Sequence, residues 1–326
     1  MPSEFNLIQQ YFTRPSPQAD LGVGDDAALV RVVEGNQLVI STDMSVAGTH
    51  FLHDCAPYNI GWKALAVNVS DIAAMGSQPK WATLAIALPE VNGDYINDKW
   101  LAEFSRGFFA CATAFSIDLI GGDATRGPLN ICVQILGEVP TGKALRRDGA
   151  KLNDDIWVSG NLGMAAYALA ILQSEGRGFD HIGHTELENL RAFLEKPQPR
   201  VSLGLALRDI ATSCIDISDG LLADLGHILQ QSQVGAVIHW PKIPRVRLTA
   251  GGHEKEIQQK ALTGGDDYEL CFTAPSNARD AIVAIGQKLS LTLSHIGVIT
   301  ALPELIIYDT NNTIITMNKK GFDHFE

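Results

Sequence analysis

The first apolar positions of the chain, Phe5, Ile8 and Phe12, recur at three- and four-residue intervals, the spacing that lines one face of a helix. It predicts a short amphipathic helix over residues 4–12, stopped by Pro15 and Pro17. Two strand-like runs follow, 27–33 and 38–41. Pro57 opens a longer helix, with Ile60, Ala64, Leu65, Val67 and Ile72 toward one face and Gly76 as its C-terminal cap. Next come a buried strand at 81–88, a helix at 95–115, a short strand at 117–120 that runs into Gly121-Gly122, and a strand at 129–139.

Residues 140–155 are polar and turn-rich, with Gly142, Gly149 and Asn153-Asp154-Asp155, so a domain boundary is expected there. Beyond it the pattern restarts with a strand at 156–159, a helix at 162–172, a loop at 176–185 and a helix at 186–194. Pro197 and Pro199 interrupt the chain, and a helix (201–211), strand (214–217), helix (220–230) and strand (236–240) follow, with alternation continuing to 307. Alternation of this kind packs helices on sheets. The expected fold is α/β in two domains, 1–145 and 146–326, without a short-period repeat or a low-complexity segment.

Composition narrows the function classes. With 326 residues, 46% hydrophobic and 19% charged, the chain is globular and long enough for two domains of roughly 150 residues. Its 25 basic and 37 acidic residues leave a charge of −12, which argues against nucleic acid, since phosphate backbones are bound by Lys and Arg clusters. No apolar run approaches the ~20 residues of a membrane helix, and the start Met1-Pro2-Ser3-Glu4 lacks the pattern of a secretion signal. Five cysteines, odd in number and without C-x-x-C, fit a reduced cytoplasm.

Acidic residues stand beside glycines or hydroxyl residues in six segments: Gly24-Asp25-Asp26, Ser41-Thr42-Asp43, Ser70-Asp71, Gly121-Gly122-Asp123, Asp216-Ile217-Ser218-Asp219-Gly220 and Gly264-Gly265-Asp266-Asp267. One such Asp is an ordinary turn residue. Six, placed at predicted strand ends and helix starts where a doubly wound sheet has its ligand crevice, point to one convergent site. Two unit charges 4 Å apart interact by roughly 4 kcal/mol at an effective dielectric of about 20, so converged carboxylates protonate in part or hold cations. Oxygen-only ligands suit Mg²⁺.

Other chemistries fit less well. His181-x-x-His184 and His253-Glu254, with Ile257 where H-E-x-x-H needs a second His, do not make a zinc site. Gly137-x-x-x-x-Gly142-Lys143 imitates a Walker A loop, but Ala144 stands where a hydroxyl must reach Mg²⁺. Gly22-x-Gly24-x-x-Ala27 imitates a dinucleotide loop, yet Asp25 and Asp26 would repel a pyrophosphate. Neither G-x-S-x-G nor a Cys beside a base marks a covalent nucleophile. What remains is a glycine-rich, multi-carboxylate set with Arg147 as the forked phosphate partner, and that points to phosphoryl transfer.

Seven ordered runs carry a family resemblance: Gly22-Val-Gly-Asp-Asp-Ala27, Ser41-Thr-Asp-Met-Ser-Val-Ala-Gly-Thr-His-Phe51, Lys63-Ala-Leu-Ala-Val-Asn-Val-Ser-Asp-Ile-Ala-Ala-Met-Gly76, Ile120-Gly-Gly-Asp-Ala-Thr-Arg-Gly127, Ile215-Asp-Ile-Ser-Asp-Gly220, Gly264-Gly-Asp-Asp-Tyr-Glu-Leu270 and Gly321-Phe-Asp-His-Phe325. The chain resembles the thiamine-monophosphate kinase family, of the superfamily that includes aminoimidazole ribonucleotide synthetase and selenophosphate synthetase. The resemblance implies ATP-dependent phosphorylation of thiamine monophosphate to thiamine diphosphate, by in-line transfer with several Mg²⁺ ions, in a homodimer. It implies an amino-terminal sheet paired with that of a second subunit and a carboxy-terminal mixed sheet covered by helices.

By the same resemblance, metal ligands fall on Asp26, Ser41, Thr42, Asp43, Asp71, Asp123, Asp216 and Asp219, and ATP contacts on Gly122, Asp123, Arg147 and Ser218. Asp43, Asp71, Asp123, Arg147 and Asp219 are the implied catalytic set, and His50, Asp266 and Phe322 the implied substrate contacts. Position 266 is often Glu in the family and position 322 often Tyr or Trp, so the substrate pocket departs from the commoner pattern. Asp25 and Asp267 sit beside implied ligands and are left either as supports of those ligands or as structural, because the resemblance places no metal on them. Two alternatives stand beside this reading. A selenophosphate synthetase-like enzyme is disfavoured because that reaction uses a reactive Cys near a glycine-rich amino terminus, whereas the first Cys here is Cys55. A non-catalytic Mg-nucleotide sensor is disfavoured by the retention of every metal position and of Arg147.

Overall fold

The structure is a computed structural model that describes residues 4–89, 96–177, 179, 182–246, 248, 254–317, 321 and 322. His181, His253 and residues 323–325 of the last motif lie outside the described residues. The chain divides into two compact units: the first holds residues 1–73 and 77–142, the second residues 74–76 and 143–326.

In the first unit, a helix α1 (Glu4–Leu7) continues as a wider turn through Phe12. A four-stranded sheet has the order β1-β4-β2-β3, from β1 (Asn36–Val46), β2 (Gln78–Leu88), β3 (Asp118–Arg126) and β4 (Asn130–Pro140). Pairing is antiparallel except between β2 and β3. Helix α2 (Pro57–Ala74) ends near Gly76, as its cap predicts. The expectation of one apolar face on α2 is corrected: residues 60–70 are buried at every position, the pattern of a helix enclosed by protein rather than lying on a surface. Helix α3 (Asp98–Phe115) begins after Asn97, whose side chain accepts the Trp100 N–H at 3.0 Å, a standard N-cap. Gly107 lets α3 meet α2 closely, because a Cβ there would fall 1.8 Å from the Tyr58 carbonyl oxygen.

The expected strand at 27–33 does not form, and Leu29 makes only an isolated bridge to Leu21. Leu29 and Val33 are 59% and 58% exposed, so this apolar alternation has no sheet to bury against. The short strands expected at 38–41 and 117–120 are longer, and Asp43 and Asp123 lie inside β1 and β3 rather than at strand ends.

In the second unit a six-stranded sheet has the order β10-β7-β9-β5-β8-β6. Its strands are β5 (Asp155–Ser159), β6 (Ser213–Asp216), β7 (Gly235–His239), β8 (Leu270–Ala274), β9 (Leu293–Thr300) and β10 (Leu305–Tyr308). Only β10 and β7 run parallel. Both sheets are therefore mixed, and the crevice argument for a doubly wound parallel sheet does not apply to either. One core joins the sheet to α4 (Met164–Gln173), α5 (His184–Glu195), α7 (Leu221–Ser232) and α8 (Glu254–Thr263). The other joins it to α6 (Val201–Leu207) and α9 (Arg279–Leu289). Helix α6 stops four residues earlier than the pattern predicts. Among the described residues no helix is long and apolar enough to cross a membrane, and all five cysteines are free thiols.

Candidate functional site

The acidic residues fall into two sets, one in each unit. In the first unit, β1 alternates in an unusual sense. Leu38, Ile40 and Met44 are exposed, whereas Asp43 is half-buried and Ser45 buried. The polar row meets α2: Ser41 Oγ donates to Asp71 Oδ2, and the Asp43 N–H donates to Asn68 Oδ1 at 3.0 Å. Asn68 is fully buried and its amide nitrogen donates to the Ala64 carbonyl at 3.1 Å, so both ends of the amide are used to hold β1 on α2.

The tight turn after β1 holds His50. Its Nδ1 accepts the Val46 N–H at 3.0 Å, which puts the ring proton on Nε2 when the imidazole is neutral. The buried Lys63 ammonium donates to the His50 carbonyl at 3.1 Å. Thr42 accepts from the Gln134 amide at 3.3 Å, on the face of the sheet opposite Asp43. One cross-strand rung runs Asp43, Val133, Leu84, Gly122. Asp123 sits one position on, opposite Ala85 and exposed, so alternation places it on the other face from Asp43. Gly122 has a reason inside the sheet for being glycine, since a Cβ there would lie 1.9 Å from the Leu84 carbonyl oxygen. Asp26 is exposed, and its N–H donates to Asp25 Oδ1 at 2.9 Å.

In the second unit three segments meet around the turn between β6 and α7. Asp216 ends β6 and is buried, and Ser218 and Asp219 follow, half-buried. The Asp266 N–H donates to the Ser218 carbonyl at 2.8 Å, the Tyr268 N–H to the Ile217 carbonyl at 2.8 Å, and the Phe322 N–H to the Asp219 carbonyl at 3.0 Å. Gly265 permits this approach, because a Cβ there would sit 2.3 Å from the Ser218 carbonyl oxygen. Asp266, Ser218, Asp219 and Phe322, expected to serve ATP, metal and substrate, thus share one hydrogen-bonded junction. Asp266 and Tyr268 both have left-handed backbones, φ 67° and 50°, a conformation that costs a non-glycine residue and concentrates at functional loops. The Tyr268 hydroxyl donates to Asp266 Oδ1 at 2.9 Å, and the Phe322 ring is half exposed.

Buried carboxylates stand behind this junction. Asp224 in the first turn of α7 accepts the N–H groups of Asp219 and Gly220, each at 3.0 Å. Burial, with the Asp219 charge, pushes its carboxyl up to about 7, against those two hydrogen bonds and the charge of Arg147. Arg147 itself is exposed. Asp267 accepts the Gly163 N–H at 2.8 Å and so ties the loop to the start of α4; burial raises its carboxyl well above the ordinary range. Glu269 is buried against Arg200, which reaches it through two nitrogens, and accepts the Ser159 hydroxyl at 2.5 Å. Asp224, Asn68, Lys63 and Tyr268 were not singled out as site residues from the sequence. A polar residue inside an apolar helical run is the signal that would have found the first three.

Among the described residues no three His, Cys, Asp or Glu side chains gather as a metal site. The donors on offer are carboxylate and hydroxyl oxygens, a set that suits Mg²⁺ and does not suit zinc.

The family described as AIR synthase related protein matches twice, its N-terminal domain over residues 24–139 and its C-terminal domain over residues 153–310. The chain is 43% identical over 332 residues to a thiamine-monophosphate kinase of Escherichia coli K12, covering 99% of this chain and 98% of that one. It is similar to the crystal structure of thiamine-monophosphate kinase from Stenotrophomonas maltophilia K279a, with TM-score 0.82 and 44% identity over 89% of this chain and 91% of that one. A structure of AaThiL complexed with AMPPCP and TMP is similar at TM-score 0.75 and 29% identity, over 93% of this chain and 92% of that one.

Proposed function

This chain belongs to the AIR synthase related proteins and, within them, to the thiamine-monophosphate kinases, and from that we infer an ATP-dependent phosphorylation of thiamine monophosphate to thiamine diphosphate. The observation that carries the inference is a match of 43% identity along 99% of the chain. The complex of AaThiL with AMPPCP and TMP, an ATP analogue and an acceptor together, supports the same pair of substrates here.

The acceptor phosphate oxygen is already anionic near neutral pH, so no general base is needed, which agrees with junctions rich in Asp and poor in His. Catalysis of such a transfer rests on positioning and on neutralising charge. In this reading Asp26, Ser41, Thr42, Asp43, Asp71 and Asp123 of the first unit and Asp216 and Asp219 of the second hold Mg²⁺, which when bound offsets the charge of the phosphates. Arg147 supplies a forked guanidinium for phosphate oxygens, and Gly122 and Ser218 contact the nucleotide. Asp266, steadied by the Tyr268 hydroxyl, accepts hydrogen bonds from the aminopyrimidine. The exposed face of Phe322 meets the cationic thiazolium, and His50 completes the acceptor site.

We further propose a homodimer built on the uncovered face of the four-stranded sheet. Leu38, Ile40 and Met44 are 37%, 55% and 54% exposed on one face of one strand, and large exposed apolar side chains grouped in this way support an interaction face. Five free thiols and the absence of a membrane-crossing helix among the described residues support a place in a reduced cytoplasm.

The test is a phosphotransfer assay of the purified protein with Mg-ATP and thiamine monophosphate, free thiamine or no acceptor, the products being separated by chromatography. Thiamine diphosphate formed from the monophosphate alone is the expected result. ADP released without an acceptor, or binding of Mg-ATP without turnover, would overturn it in favour of a superfamily relative or a nucleotide sensor.

A further inference from the structure

Two peptide groups flank Asp219, and each is held at both ends. The peptide joining Ser218 to Asp219 receives the Asp266 N–H on its carbonyl and gives its own N–H to Asp224. The peptide joining Asp219 to Gly220 receives the Phe322 N–H on its carbonyl and gives its N–H to the same oxygen, Asp224 Oδ2. Asp224 is 2% exposed and stands among the buried Leu221, Leu222 and Leu225, so water does not readily replace it as the acceptor. A helix start leaves N–H groups that need partners, but one neutral capping side chain would meet that need at less cost than a buried carboxylate beside Asp219. The arrangement does more than cap. Rotation of either peptide would turn the Asp219 side chain and at the same time release Asp266 or Phe322.

We propose that Asp224 is a positioning residue that locks Asp219 in register with Asp266 and Phe322, so that the divalent-cation side and the acceptor side of the reaction are set by one carboxylate. The proposal rests on the assignment of Asp219 to metal and of Asp266 to substrate. Asp224→Ala removes both acceptor bonds, Asp224→Asn keeps an oxygen that can accept both, and Asp224→Glu moves the carboxylate by one methylene.

The experiment measures steady-state kinetics and backbone amide exchange on the full-length chain. Asp224→Ala and Asp224→Glu are expected to raise together, by about 10- to 100-fold, the Mg²⁺ concentration for half-maximal rate and the KM for thiamine monophosphate. Exchange should quicken at residues 218–222 while β5 and β8 stay protected. Asp224→Asn should restore both constants to within a few-fold and restore amide protection. Constants unchanged in Asp224→Ala, a rise in only one of the two, or an Asp224→Asn protein as defective as Asp224→Ala would each overturn the proposal. Asp224→Glu keeps the comparison alive if Asp224→Ala loses core protection. Asp219→Asn separates the two levels. If it raises the Mg²⁺ requirement while the Asp224 variants do not, the positioning role fails and the functional reading stands. If Asp219→Asn leaves that requirement unchanged, both fail.

Discussion

In the first unit Ser41, Thr42, Asp43 and Asp123 lie inside strands of the four-stranded sheet, whereas Ser218, Asp219 and Asp266 of the second unit lie in turns beside the strands of its sheet. The cause is the number of covered faces. β5 and β8 are buried at every position, so a polar side chain within them needs a dedicated partner, as Ser159 has in Glu269 and Thr273 in Ser213. β1 has α2 on one face only, where the Ser41 hydroxyl meets Asp71 and the Asp43 N–H meets Asn68, while Leu38, Ile40 and Met44 are exposed. A polar inner row and an apolar outer row invert the usual strand pattern. The first unit thus sets its candidate residues on a strand, whereas the turns of the second are held by hydrogen bonds to buried Asp224 and Asp267 and by the buried Glu269 behind them.

The comparison predicts that both kinds of placement matter to one reaction. Asp43→Asn on the strand and Asp219→Asn on the turn should each lower kcat by about 10²- to 10³-fold, the range for losing one group that stabilises transition-state charge. Near-normal turnover in either variant, measured in the phosphotransfer assay, would leave only one unit with a catalytic part.

The buried supports should matter most to stability in the second unit. Arg200→Ala strands the Glu269 carboxylate in the core and should cost about 3–5 kcal/mol, read from the shift of the urea midpoint. A midpoint that stays in place would show that the buried ion pair does not hold that sheet.

Among the described residues, no strand of the second unit carries an exposed apolar row like that of β1. On the proposed homodimer, Ile40→Asp should leave only monomer in sedimentation while circular dichroism stays unchanged. An unchanged sedimentation coefficient would move the interface elsewhere.

The smallest effect concerns Asp155 at the start of β5, which faces both Arg279 and His295. Burial by itself would raise the Asp155 carboxyl, but hydrogen bonds from Arg279, with the charges of His295, Arg279 and Lys242, hold it below the ordinary value. A carboxyl lowered in the folded state contributes stability above its unfolded value, near 3.9, and that contribution is lost as pH falls through the lower folded value. Asp155→Asn should therefore flatten the acid limb of the stability curve below about pH 4. An equally steep limb in the variant would assign acid sensitivity to other carboxylates.

Much of the site was legible because its chemistry is local in sequence. Asp216, Ser218 and Asp219 lie within four residues, and Asp266 with its glycines forms a run that cannot be mistaken for core. The alternation of elements, the cap at Gly76 and the turn-rich stretch near 142 follow from backbone preference and periodicity, which each segment carries alone. The misplaced elements share a cause. Residues 27–33 have strand periodicity but no partner strand, and Asp43 and Asp123 look like turn residues until the register of their neighbours extends β1 and β3 through them.

The α/β halves, the segments of the candidate site and the family to which the chain belongs are thus legible in the chain alone, since all of these are written in short-range pattern and ordered motifs. The tertiary structure decides which face of β1 meets a helix, that residues 60–70 of α2 are buried at every position, and that Asn68 and Asp224 support β1 and the Asp219 turn. Burial and hydrogen-bond partnership are properties of distant segments brought together. Asp266 and Phe322, 56 residues apart in number, meet the same turn only because the fold delivers both backbones to it.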